Sequence, residues 1–115
     1  MSLVTSSATR SLRTLSRETG FYFFTSYGNY TGISAMSMED FLNKLEEVSV
    51  TSLEFHLYRG DFERWASDVL EDTKLSDRIS AVKLLEPVDS SLREQLVSVV
   101  STRLEELKTA NPQNC

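Results

Sequence analysis

Between Thr51 and Leu70 the chain reads TSLEFHLYRGDFERWASDVL, and few folds accommodate the way its apolar side chains recur. From Asp61 onward, Phe62, Trp65, Ala66, Val69 and Leu70 fall at i, i+3, i+4, i+7 and i+8 along an amphipathic helix whose apolar face must be buried. Asp61 stands in a capping position, its carboxylate suited to unpaired first-turn amides and to the positive end of the helix dipole. Glu63, Arg64, Ser67, Asp68 and Glu71 take the solvent side. Upstream, Thr51 and Glu54 have capping-box spacing and Val50 and Phe55 hydrophobic-staple spacing, which predicts a short helix over residues 52–59. The same residues also alternate, Leu53, Phe55 and Leu57 against Glu54, His56 and Tyr58, so a strand stays open there. The helix is favoured because its start signal is the more specific, with Gly60 as its stop.

This stretch holds the chain's one histidine and one tryptophan. His56, Arg59, Asp61 and Trp65 lie close together across the Gly60 turn, which lets their side chains meet. In the arrangement expected, Asp61 or a backbone carbonyl fixes the imidazole tautomer and Trp65 packs beneath it. Three roles suit such a cluster: a satisfied histidine bracing two elements, a recognition surface, or a general base oriented by Asp61. Bracing comes first, because half-buried histidines are more often structural than catalytic.

Residues 21–27, FYFFTSY, form the clearest strand, with five aromatics in seven residues. Gly28, Asn29 and Gly32 mark a turn, and residues 33–36 are expected to return as the second strand of a hairpin. A lone ribbon is marginal and has to lie on the helices. Tyr27 and Tyr30, with Tyr22, are a candidate aromatic binding surface, against the alternative of edge packing. Ser37 then opens a helix in which Ser37 and Asp40 approximate a capping box and Met38, Phe41, Leu42, Leu45 and Val48 form the buried stripe. Asp72 or Thr73 caps a further helix, with Leu75, Ile79 and Val82 inward, ending before Pro87. A last helix of about 18 residues, roughly 27 Å long, begins near residues 89–91. It carries Leu92, Leu96, Val99, Val100, Leu104 and Leu107.

Residues 1–19 are rich in Ser, Thr and Arg, with a weak helical stripe of Val4, Ala8, Leu12 and Leu15. They are expected to be a flexible or partly helical arm. One globular unit follows over residues 20–109, then a polar tail over 110–115. At 115 residues with 40% hydrophobic content, a core needs no disulfide or metal.

Charge narrows the partners. Of the net −5, residues 21–72 carry ten acids against three bases, which opposes phosphate-rich ligands such as nucleic acid or anionic lipid. No run approaches the roughly 18 apolar residues of a membrane span. One histidine and one terminal cysteine, Cys115, build neither a disulfide nor a conventional zinc site, so no metal or cofactor is expected and a reducing, cytoplasmic location is. Phosphate-binding glycine loops and serine-nucleophile elbows are missing from the sequence.

The segment HLYRGDFERWASDVL, with SMEDFLNKLEEV before it and KLSDRI after, resembles an uncharacterised family of small prokaryotic domains, often archaeal, of unknown function. The matching positions are the aromatic run Phe21 to Phe24, Thr31, Gly32, Ala35, Ser37, Phe41, Leu45, His56, Arg59, Asp61, Phe62, Trp65, Leu75 and Ile79, spanning about residues 20–82. The resemblance implies a fold and carries no activity. Together these readings predict an α+β domain, mainly helical, whose short aromatic N-terminal β-hairpin packs on about four helices. The expected function is a non-enzymatic protein-interaction or regulatory module. The alternatives are a small-molecule-binding or hydrolytic domain using His56 as general base, and a structural subunit of a homo-oligomeric assembly; among partners, a homodimer through the C-terminal helix is also open.

Overall fold

The computed structural model describes the backbone of residues 3–110 and the side chains of residues 8–110. The side chain of Val4 and the tail of residues 111–115, with Cys115, lie outside the described residues. The elements run α1 (Leu3–Leu12), β1 (Phe21–Ser26), β2 (Asn29–Ala35), α2 (Met38–Leu45), α3 (Val50–Arg59), α4 (Asp61–Asp68), α5 (Thr73–Leu84) and α6 (Asp89–Ala110). The architecture is α+β and mainly helical, with six helices among the described residues where about four were expected. None of them is long and apolar enough to cross a membrane.

The hairpin is longer than the sequence suggests. β2 begins at Asn29 rather than at residue 33, because Gly28 (φ 79°) makes the turn and Gly32 (φ 86°) lies inside the strand. Between the pairs Tyr22–Ser34 and Phe24–Tyr30, β2 uses four residues where β1 uses two, so Gly32 serves a bulge. Thr31 bridges the gap: its hydroxyl donates to Phe23 O at 2.8 Å and accepts from Ile33 N at 3.1 Å. Alternation on β1 then sends Phe21 and Phe23 into the core and turns Tyr22 and Phe24 outward.

Residues 50–59 are helical, and the cap sits two residues earlier than the sequence implied. Ser49, not Thr51, accepts from Ser52 N at 3.3 Å, and Val48 with Leu53, both buried, take the staple positions. Ser37 caps α2 as expected, accepting from Asp40 N at 3.0 Å. Asp72 caps α5, accepting from Leu75 N at 3.1 Å, and α5 ends before Pro87.

The expected flexible or partly helical arm contains α1, which packs along α6. Ala8, Ser11 and Leu15 are buried. Ser11 donates to Leu70 O at 3.0 Å and Arg13 to Val69 O at 2.8 Å, so the arm satisfies carbonyls where α4 ends. Arg10 adds an exposed pair with Glu71.

α6 crosses the molecule against α1, α2, α3 and α5, burying Leu92, Leu96, Val100, Leu104 and Leu107. Its apolar stripe is therefore used within its own chain. Buried Asp72 takes Arg103 of α6 at 2.8 Å, and Arg103 and Arg78 both reach Glu106, which joins α5 to α6 by charge as well as by packing.

Candidate functional site

The candidate cluster is built at the joint between α3 and α4. Gly60 closes α3 in the left-handed conformation (φ 79°), donating to His56 O and Leu57 O, and at once precedes the first residue of α4. Such a φ costs a residue with a Cβ about 1–2 kcal/mol, which explains glycine here. Asp61 was expected to cap α4, yet its side chain makes no cap bond. Its carboxylate turns back instead, accepting from His56 Nδ1 at 2.8 Å, from Arg59 Nε at 3.0 Å and from Arg64 Nη2. Two guanidiniums and an imidazole outcompete the backbone amides for it. Arg64 stays on the solvent side as expected while it pairs with Asp61, whereas Glu63 leaves that role, accepting from Ser80 and Lys83 of α5.

His56 is 3% exposed, and its tautomer follows from its partners. The amide of Phe24 can only donate, and it points to Nε2 at 2.8 Å, so Nε2 is the unprotonated nitrogen and Nδ1 carries the hydrogen given to Asp61. The ring is neutral and spans three elements, β1, α3 and α4. Burial pushes the imidazole below its ordinary pKa, against the pull of Asp61. Phe21, Phe55 and Phe62 surround it edge-on or tilted, with centroids at 4.8, 5.0 and 5.6 Å.

Trp65 does not lie beneath His56. Its indole packs on Phe41 at 4.9 Å and on Phe21 at 5.5 Å, while Nε1 donates to Thr19 O at 2.9 Å. Phe21 touches both rings, so the core side of β1 connects the imidazole to the indole. Phe21 lies 35 residues upstream of His56, beyond the reach of any local pattern around the histidine. Tyr30, 47% exposed, packs on Phe24 and Tyr22 outside the cluster.

Tyr27 does join it. At the hairpin tip and 83% exposed, it meets Phe55 edge-on at 5.7 Å, and the Arg59 guanidinium sits over both rings, 4.6 Å from Tyr27 and 4.8 Å from Phe55. Between the hairpin tip and α3 lies an open cavity of about 310 Å³, lined by Tyr22, Phe24, Ser26, Tyr27, Phe55, His56, Arg59 and Asp61 among others. Phe21, Phe24, Ser26, Gly28 and Phe55 line it without having been site candidates in the sequence. Phe55 was legible, since once residues 50–59 are helical it shares a face with Arg59 at i+4. Nothing local placed the hairpin tip beside them. No group of three or more metal-binding side chains gathers among the described residues.

No curated protein and no solved structure matches the chain significantly. A family model does match, over residues 16–114, so it includes α6, which the resemblance over residues 20–82 left out, and begins after α1. The chain thus belongs to DUF5752, a family of unknown function.

Proposed function

We propose that the domain is a small non-enzymatic interaction or regulatory module that binds a protein partner at the cavity between the hairpin tip and α3. One observation carries this reading. Both nitrogens of His56 are committed within the molecule, to Phe24 N and to Asp61, while the neighbouring wall of Tyr27, Phe55 and Arg59 faces outward. The hydrolytic alternative draws on the same His56–Asp61 pair, which resembles a base with its orienting carboxylate. A general base needs a free lone pair, and that of Nε2 accepts the Phe24 amide. Dimerisation through α6 has only the polar face of that helix to offer a second copy, since its apolar stripe is buried. Tyr30, which packs on Phe24 and Tyr22 without lining the cavity, and Trp65, which belongs to the core, leave the contact surface in this reading. The acidic middle of the chain, a cytoplasmic location and a prokaryotic setting belong to the same proposal.

A photo-crosslinking residue in place of Tyr27, with a second at exposed Glu105 as control, tests it in the native cell. The expected result is a discrete protein adduct from position 27 that disappears when Arg59→Ala is added. Equal adducts from both positions, or none from position 27, would end the proposal.

A further inference from the structure

We infer that this cavity receives the C-terminal carboxylate of a partner protein whose last residue is apolar, an assignment that rests on the interaction-module reading above. The guanidinium of Arg59 sets the chemistry of the ligand. Two aromatic rings hold its plane and Asp61 takes its Nε, so the group is fixed, yet its two Nη groups meet no acceptor among the described residues. An arginine arranged in this way presents a planar fork that matches a carboxylate.

The carboxylate of Asp61 also lines the cavity, and it would repel an anion were it not already matched. Arg59 and Arg64 both pair with it, and with His56 neutral the group of four carries one net positive charge. An incoming carboxylate completes that balance. Beside the guanidinium the walls are aromatic, formed by Phe24, Phe55, Tyr22 and Tyr27. The ligand therefore needs an apolar group next to its anionic one.

Size and backbone geometry select a chain end over a chain passing through. About 310 Å³ holds roughly one large residue, at the lower limit of ligand sites. The outward amide of Phe24, where a peptide would otherwise pair with the edge of β1, is already bound by His56 Nε2. A continuous strand finds no donor at that point, whereas a terminus needs only one entrance.

Amide and Arg Nε signals of the full chain, followed by NMR during titration, test the assignment with four probes. These are acetyl-Gly-Ser-Gly-Phe as free acid, the same peptide as C-terminal amide, acetyl-Gly-Ser-Glu-Phe amide, and N-acetylphenylalanine. The free-acid peptide is expected to shift Arg59 Nε and the amides of Tyr27, Gly28 and Phe55 saturably, with the other three at least tenfold weaker. Arg59→Gln is expected to weaken the acid at least tenfold, with the indole Nε1–H signal of Trp65, which donates to Thr19 O in the core, unmoved as evidence of an intact fold. Tyr27→Ala, which removes no charge, is expected to weaken it severalfold. Equal binding of acid and amide overturns the proposal. So does equal binding of the internal-Glu peptide, which would make the occupant a side chain, or of N-acetylphenylalanine, which would make it a small acid. If crosslinking from position 27 still depends on Arg59 while no probe binds, the interaction reading stands and the chain-end assignment falls.

Discussion

The imidazole of His56 links acidity to stability. Its folded pKa lies below that of the unfolded chain because burial disfavours the charged ring, so between the two values the unfolded state binds more protons. Stability then rises with pH across that window. It is complete above about pH 6.5, the ordinary histidine value, and is lost progressively as pH falls below it. The melting temperature should drop between pH 7.5 and pH 5, and less steeply in His56→Gln, which cannot titrate; parallel curves would refute the assignment. At neutral pH, His56→Ala should cost on the order of 3 kcal/mol, since it orphans the Phe24 amide and removes a partner of Asp61. Ser52 presents the opposite case. Its hydroxyl is buried in α3 without a hydrogen-bond partner among the described residues, so Ser52→Ala should stabilise the protein or change it by less than about 0.5 kcal/mol in urea unfolding. A loss above 1 kcal/mol would mean that the hydroxyl has a partner in solution.

Among the elements, the junction of α3 and α4 depends on one residue in an uncommon conformation. A Cβ at Gly60 would meet Arg64 Nη1 at 3.4 Å and Glu63 and Lys83 at 3.7 Å, ordinary contacts, so backbone strain is the main penalty of substitution. Gly60→Ala should cost about 1–2 kcal/mol and Gly60→Asn distinctly less, because asparagine tolerates the left-handed region. Equal losses from both would point to crowding in place of strain, and urea midpoints at constant m-value separate the two. The hairpin obeys the same logic at longer range. Its aromatic residues made β1 legible, but Gly32 looked like a turn because glycine serves bulges and turns alike, and only pairing with a partner strand tells them apart.

At the scale of the whole molecule, α6 and the α5 cap are joined by a charge pair that is almost dry. Asp72 is 3% exposed and holds both Leu75 N and Arg103 Nε. Arg103→Met should cost about 3 kcal/mol, since it strands a buried carboxylate, while Asp72→Asn with Arg103→Met should cost less than the two single changes combined. A double-mutant cycle in urea measures the coupling, and strict additivity would show that the pair does not act as a unit. Asp72 was legible as a cap; its partner, 31 residues away, was not.

Helical periodicity located α2, α4, α5 and α6, and the aromatic run located β1, because burial of a face leaves a repeat that adjacent residues reveal on their own. The sequence alone likewise brought His56, Arg59 and Asp61 together, since a glycine stop between two helices folds them back within a few residues. Tertiary structure decided the rest. It turned Asp61 from the helix amides toward three cationic or donor side chains, put Phe21 between imidazole and indole, ordered α1 against carbonyls at the end of α4, and brought Tyr27 over Arg59. Each of those outcomes is a competition between partners distant in the chain, and local patterns say which groups need a partner without saying which partner arrives.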